Sequence, residues 1–409
     1  MPTTVPFFAP DITESDITAC AEVLRSGWLT TGPCAREFEK AFASAVGARH
    51  AVAVNSCTAA LHLALEALGL RANQGVLVPT MTFAATAEVV RYFGAVPLLV
   101  DCDPVTGNLS LDAAAARLSQ VRLGGWPPAR RVTEVVGIMP VHVGGLMLDM
   151  GEVRRFASRH GLWIVEDAAH ALPAAWRPGP DAPWQRCGED TADVTCYSFY
   201  ANKTITTGEG GMAVTASAAL AERMRLMSLH GLSHDAWNRY TGHGSWDYRI
   251  VAPGFKYNLT DIAAALGLRQ LARAEAMRQA RARIASYYLQ ELAGEAGIAL
   301  PPVDPDRVHA WHLFPIRVEG DPTGARRNAV IEMLRGAGVT CSVHWRPLHL
   351  HPYYQETFGY EPDDCPAATA LFPALVSLPI FSRMTGPQMD AVVAAVRAAV
   401  RTLLRPVQV

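Results

Sequence analysis

The sequence predicts an α/β protein in which a large, mostly parallel mixed sheet is followed by a smaller α+β unit. Three observations predict it. Short apolar runs alternate with helical patterns from Ala51 to Thr215, as a parallel sheet covered on both faces requires. A long helical pattern dense in Ala, Leu and Arg then runs from Thr260 to Leu292. Beyond Pro301-Pro302, strand patterns (His312–Val318, Val339–His344) mix with helical ones (Arg326–Gly336, Pro387–Leu404). A chain of 409 residues is long enough for one large core and a smaller second one. The expected division falls at the long helix, giving residues 1–265 and 266–409.

In chain order, Thr13-Glu-Ser-Asp16 opens a helix in capping-box style, with Ile17, Cys20, Ala21 and Leu24 at helical spacing and Gly27 closing it. Trp28-Leu-Thr-Thr-Gly-Pro33 is a loop, followed by a helix through Phe42. The expected strands are Ala51–Val54, Val76–Val78, Val96–Val100, Val135–Val143, Leu162–Val165, Val194–Phe199 and Met212–Thr215. Helical patterns at Thr58–Leu68, Leu111–Leu118 and Met150–His160 lie between them, and Leu220–Leu229 follows. Gly231 to Pro253 is polar, aromatic and too irregular for an element.

Thirty-six basic against 38 acidic residues give a net charge of −2, which offers no basic field for nucleic acid. The eight cysteines are dispersed without a CxxC pair, as expected of reduced thiols. The N-terminus has no basic start followed by an apolar stretch, so no signal peptide is expected. The most apolar window, Val135 to Met150, is broken by His142, Gly144, Gly145 and Asp149 and does not suit a membrane span. The expectation is a cytoplasmic protein that binds neither nucleic acid nor membrane.

The chemistry concentrates around Lys203, in Ser198-Phe-Tyr-Ala-Asn-Lys203-Thr-Ile-Thr-Thr-Gly208-Glu-Gly-Gly211. Upstream, the apolar run Leu162–Val165 ends in Glu166-Asp167, which puts a carboxylate at the carboxyl end of a buried strand, where open α/β sheets bind ligands. A lysine able to form a Schiff base, a carboxylate for a pyridine nitrogen and hydroxyls for a phosphate are what pyridoxal 5′-phosphate (PLP) needs. Singly, each has a plainer reading: Lys203 as a surface lysine, Asp167 as a helix cap, His170 as a satisfied core histidine. His170 in this arrangement lies against the ring and donates to its 3′-oxygen.

Asn55-Ser-Cys57-Thr58 is a strand end entering a helix, where Thr58 and the following amides form an anion site favoured by the helix dipole. Ser198 adds a second phosphate hydroxyl, and Phe83 is either a stacking partner for the pyridine face or a core aromatic. His309-Ala-Trp-His312 and His349-Leu-His351 lack a carboxylate or cysteine at ligand spacing, so no metal is expected. The G-x-S-x-G elbow, the P-loop and the G-x-G-x-x-G fingerprint are all absent.

In this order, these stretches resemble the DegT/StrS family of PLP-dependent nucleotide-sugar aminotransferases nearly end to end. The matching stretches include Ser26–Pro33, Ser56-Cys-Thr58, Thr82-Phe83, Glu166–His170, Ser198–Gly211 and Lys256-Tyr-Asn-Leu-Thr-Asp261. The resemblance implies fold type I, the aspartate-aminotransferase fold, in a homodimer with active sites between subunits. It implies Lys203 as the Schiff-base and catalytic lysine and Asp167 as the pyridine partner. Thr58 and Ser198 would hold the phosphate with Asn258 of the other subunit. Cys57 stands where glycine is frequent, its backbone serving the phosphate, and His170 matches a position that is often Gln or His.

Within the family, His230–Trp237, Gly254–Asp261 and His309–Phe314 resemble the branch acting on 4-keto sugars, while the 3-amino branch more often has Asn-Tyr-Arg at Asn258-Leu-Thr260. The implied reaction moves an amino group from L-glutamate to a nucleotide-linked 4-keto-6-deoxy sugar. Trp28, Arg249, Lys256, His344 and Arg346 are candidate substrate contacts, or ordinary loop side chains. The alternatives are a 3-keto sugar aminotransferase, a sugar dehydratase (whose relatives carry His in place of Lys203) and a PLP-binding regulator. Trp176–Arg186 is longer than the usual family loop.

Overall fold

The computed structural model describes residues 4–232 and 249–404. Of the His230–Trp237 stretch, Ser233 to Trp237 lie outside the described residues. The strands are β1 (His50–Val54), β2 (Gln74–Pro79), β3 (Val96–Val100), β4 (Glu134–Ile138), β5 (Trp163–Asp167), β6 (Ala175–Trp176), β7 (Gln185–Arg186), β8 (Val194–Ser198), β9 (Gly211–Thr215), β10 (Ile298–Ala299), β11 (Arg307–Val308), β12 (Phe314–Val318) and β13 (Leu375–Leu378). The first seven helices are α1 (Glu14–Ser26), α2 (Pro33–Val46), α3 (Cys57–Ala67), α4 (Ala85–Arg91), α5 (Leu111–Leu123), α6 (Met150–His160) and α7 (Ala218–Met227). The others are α8 (Asp261–Leu271), α9 (Ala274–Glu291), α10 (Ala325–Gly336), α11 (Pro352–Phe358), α12 (Pro366–Leu371) and α13 (Gly386–Leu404).

Seven strands form the main sheet in the order β1-β9-β8-β5-β4-β2-β3. All its pairings are parallel except those of β9, which runs antiparallel to both β1 and β8. β3 and β9 are buried at every position, so their apolar runs are continuous rather than alternating. Helix α3 is buried at seven successive residues, Ala59 to Leu65, and its sequence is accordingly apolar all round. A second sheet, β10-β12-β13, carries its own core of Ile284, Tyr288, Phe314, Val330 and Val396. Helix α9 runs through both cores, with Ala274 and Met277 in the first and Ile284 and Tyr288 in the second. Val5 also packs in the second core, held by backbone hydrogen bonds to Gly338 and Thr340.

The α1 cap forms as expected: Asp16 accepts from the Thr13 N–H at 2.7 Å, and Gly27 closes the helix at φ 75°. Two expectations need correction. The expected strand Val135–Val143 ends at Ile138, because Pro140 has no N–H to give a ladder and Gly144 and Gly145 turn the chain at positive φ. The continuous helix Thr260–Leu292 is two helices, broken at Arg273 (φ −110°, ψ 0°). Side-chain pairing explains the break: Arg273 turns away to meet Asp11 at 3.0 Å and Asp16 at 2.8 Å. The 176–186 stretch is tied down as well. β6 pairs with β7 and β11, Arg177 meets Asp306 at 2.8 Å, and the same guanidinium lies 4.6 Å above the Trp184 ring.

Candidate active site

Lys203 sits on the connection between antiparallel β8 and β9. The β8 end brings Ser198 level with Gly211, and Gly211 presses on the start of α3. A Cβ at Gly211 would lie 2.4 Å from the Ser56 carbonyl carbon and 2.6 Å from the Cys57 nitrogen, so only glycine fits there. Ser56 caps α3 by accepting from the Ala59 N–H at 3.1 Å. The N–H groups of Cys57 and Thr58 precede any intrahelical acceptor and remain available to an anion. Lys203, Ser198, Cys57 and Thr58 therefore converge on one helix terminus.

Asp167 ends β5, buried beneath this point. Thr86 donates to its Oδ2 at 2.7 Å, and the Ala169 N–H donates to Oδ1 at 3.1 Å. Burial pushes its carboxyl up, against the pull of these two donors and of the Lys203 charge. Phe83 lies one turn before Thr86, its carbonyl accepting from the Thr86 N–H at 3.3 Å, and it is 65% exposed, which suits a ring waiting for a stacking partner. His170 is buried against Trp345 (ring centroids 5.2 Å, 15°) and His312 (4.1 Å, 38°). Burial and the Lys203 charge hold His170 well below the ordinary imidazole range.

Burial also brings the Lys203 ammonium down to about 8, although Cys57 and Asp167 pull it up. An amine in that range titrates near neutrality and can act as nucleophile and base. The sign of its linkage to stability is unfavourable. Below pH 8 folding keeps a proton on a dehydrated amine, and the penalty fades as pH rises toward the ordinary lysine value of 10.5. Apoprotein carrying Lys203→Met is expected to be more stable than wild type at pH 7 by up to about 3 kcal/mol. Urea denaturation at pH 7 and pH 10 checks this, since the gain should shrink at the higher pH.

The other expected contacts are placed as follows. His344 is stacked on Phe7 (5.5 Å), donates to or accepts from Ser377 at 2.9 Å, and is brought to about 4 by burial and the Lys203 charge. Asn258 gives its amide to Thr31 at 2.7 Å, while its oxygen accepts from Lys256, both within the same chain. Arg346 is exposed and donates to the Leu350 carbonyl at 2.8 Å. Arg249 is exposed at the edge of the described residues. Trp28 packs over Gly32 and lines a groove of about 830 Å³ among α1, α2 and α8. None of Asp167, Ser198 or Lys203 lines that groove, so chemistry rather than size identifies the site.

Four central residues carry no site motif in the sequence: Thr86, Arg281, His312 and Trp345. Arg281 did leave a signal, since it falls on the buried stripe Met277, Arg281, Ile284, Tyr288 of α9. Among the described residues, His142, Glu166 and Cys187 also lie close enough together to share a metal. Their atoms are already engaged: His142 meets Glu166 at 2.6 Å, and Thr191 and Thr195 each donate to Glu166 at 2.6 Å.

The residues present fit PLP. They offer a helix terminus and hydroxyls for a phosphate, a buried carboxylate, an exposed aromatic ring and a dehydrated lysine. The comparisons agree over nearly the whole chain. A family model described as DegT/DnrJ/EryC1/StrS aminotransferase family matches residues 10–397. The spore coat polysaccharide biosynthesis protein SpsC of Bacillus subtilis is 40% identical, with 97% of each chain covered. Among solved structures, Spr1654 of Streptococcus pneumoniae, assigned as a sugar aminotransferase and solved with PLP, superposes with a TM-score of 0.87 at 30% identity, covering 98% of this chain and all of its own. The sugar aminotransferase CalS13 of Micromonospora echinospora gives 0.81 at 29% identity, covering 96% of this chain and 99% of its own. With the Lys203–Asp167 geometry in place and the family match spanning both cores, the chain belongs to the DegT/DnrJ/EryC1/StrS aminotransferase family.

Proposed function

We propose that this PLP-dependent sugar aminotransferase moves the amino group of L-glutamate to a nucleotide-linked 4-keto-6-deoxy sugar. The observation that carries the transamination chemistry is Lys203, an amine brought to about 8 in a pocket shared with buried Asp167. When bound, PLP supplies a carbonyl carbon that carries the amino group and a ring that withdraws electrons from the reacting carbon. Lys203 Nζ moves the proton in both halves of the reaction. Asp167, held by Thr86 and the Ala169 N–H, would supply a negative charge to the ring nitrogen. Thr58, Ser198 and the first amides of α3, that of Cys57 among them, would hold the phosphate.

The resemblance of Gly254–Asp261 and His309–Phe314 to the 4-keto branch supports the sugar assignment. Incubating the protein with 15N-labelled glutamate and a panel of UDP-, dTDP- and GDP-linked keto sugars tests it. The expected product carries 15N at C4; an amine at C3, or no consumption of any 4-keto sugar, overturns the assignment.

The proposal includes a homodimer in which Asn258 reaches the partner's phosphate site. Tyr200, Ile250 and Val251 are exposed apolar side chains that such an interface would cover. Losing one hydrogen bond to a charged oxygen costs about 1.5–3 kcal/mol, so Asn258→Ala is expected to weaken PLP retention by roughly ten- to a hundredfold. Mixing Lys203→Ala with Asn258→Ala protein gives the sharper result. In a hybrid both lesions fall in one site and the other site is intact, so activity should rise on subunit exchange. Verified hybrids without recovery would show that Asn258 does not serve the partner's site.

A further inference from the structure

Two buried ring nitrogens near Lys203, His170 Nδ1 and His312 Nδ1, have no hydrogen-bond partner. The two completely buried histidines, His142 and His349, are engaged at both ring nitrogens. His349 uses Nδ1 toward Thr80 (2.7 Å) and Nε2 toward Thr369 (2.9 Å), and His142 uses both nitrogens as well. A histidine kept only for packing would be expected to follow them, because an unpartnered buried polar atom is costly. Among the described residues, the side-chain hydrogen bond of the His312 ring is with Lys203 Nζ, 3.5 Å from Nε2.

The fold goes to some length to place this ring. His312 N–H donates to the Gly144 carbonyl at 2.9 Å, and the Ala310 N–H donates to the Gly145 carbonyl at 3.1 Å. Gly145, at φ 97°, passes so near that a Cβ there would lie 2.7 Å from the His170 carbonyl oxygen and 2.8 Å from Ala310 Cβ. That close approach presses the 310–312 segment against His170, and the two rings meet at 4.1 Å. Behind it, Arg281 is 4% exposed and donates to the carbonyls of Trp311 (3.4 Å) and Ile380 (2.8 Å).

We propose that His312 is the positioning residue of the Lys203 amine, its neutral Nε2 accepting the Nζ hydrogen bond whenever the lysine is not bonded to the cofactor. The inference rests on the reading of Lys203 as the cofactor lysine. The lysine must be released in each half of the reaction and must stay beside the reacting carbon to move its proton. A long side chain left without a partner would spread over many rotamers, and an acceptor fixed on a second element removes that freedom. His312 suits the task only while neutral. Burial and the charges of Lys203 and Arg281 keep it so, with His170 and His344 also facing it. Cys57, Asp167, Arg281, His170 and His344 are the other charged or titratable groups that act on the lysine among the described residues.

The test compares His312→Gln, whose amide oxygen reaches the Nε2 position, with His312→Asn, which stops short. In apoprotein, competitive acetylation of Lys203 followed by peptide mass spectrometry gives its titration midpoint. His312→Gln is expected to keep the wild-type midpoint. His312→Asn is expected to lower it by about one pH unit, since a hydrogen bond favouring the ammonium is lost. In loaded enzyme His312→Asn should reduce kcat by about tenfold with KM for glutamate and sugar little changed. Two variants titrating alike, or an effect confined to the KM of the sugar, overturns the proposal. If neither variant folds, the ring 15N spectrum of wild-type apoprotein decides, because an accepting Nε2 requires the proton on Nδ1. Borohydride labelling at a peptide other than that of Lys203 would instead sink the reading beneath it.

Discussion

Lys203→Ala protein is expected to have no measurable transamination. The proton transfer assigned to Lys203 Nζ has no substitute nearby: burial holds His170 and His312 so far below the ordinary imidazole range that both are weak bases, Arg281 keeps its proton, and the Cys57 thiol is pushed up out of range. Removing a positioned general base costs about 10²–10⁴-fold on its own, and removing the nucleophile as well takes the rate to background. The wild-type holoenzyme should be yellow, and borohydride should fix the cofactor to a single peptide, the one containing Lys203. The alanine variant should bind cofactor without becoming covalently fixed to it. Retention of even a hundredth of the wild-type rate, or a borohydride-fixed cofactor in the variant, would remove Lys203 from the centre of the mechanism.

How legible this site was depends on how each residue is held. Asp167 could be read because it ends a strand with a continuous apolar run, and strand ends are where such sheets bind ligands; Lys203 could be read because it follows the β8 end at Ser198 and precedes the glycine-rich turn. The phosphate turn was legible for the same reason at β1 and α3. The antiparallel insertion of β9 between β1 and β8 was not, since an apolar run of five residues has no direction written in it. Nor could local pattern show the break at Arg273, because Ala, Leu and Arg favour helix on both sides of it and the interruption comes from Asp11 and Asp16, far away in sequence.

Residues brought in by long-range packing were the least visible. Thr86 is a small polar residue in a short helix, and only the fold puts its hydroxyl on Asp167. His312 in the sequence is half of a histidine pair without a carboxylate at ligand spacing, a pattern that argues against a metal and says nothing about a lysine 109 residues upstream. Asn258 shows the opposite limit. Its motif names it as a phosphate ligand, yet within one chain its side chain is occupied by Thr31 and Lys256. A site completed by a second copy, as proposed for Asn258, would leave no trace in the periodicity of one chain.

Asp167→Asn is expected to leave the fold intact and remove most of the activity. The amide keeps the Ala169 N–H on its oxygen, and its NH₂ group meets Thr86 where Oδ2 stood. Thr86 can then accept, turning its own proton toward Thr82, whose hydroxyl lies 2.8 Å away. Packing and hydrogen bonding thus survive while the charge is lost. Breaking a buried charge pair by removing one partner costs about 3–5 kcal/mol, which corresponds to roughly 10²–10⁴ in rate if it is lost from the transition state. The pH dependence separates charge from structure. Burial raises the Asp167 carboxyl, so in wild type it takes up its proton on the acid side and the enzyme comes to resemble the variant. The ratio of wild-type to variant rate in single turnovers with glutamate should therefore be largest near neutrality and shrink as the pH falls. A variant within tenfold of wild type at neutral pH, or a ratio constant over the acid range, would mean that Asp167 serves the fold rather than the chemistry.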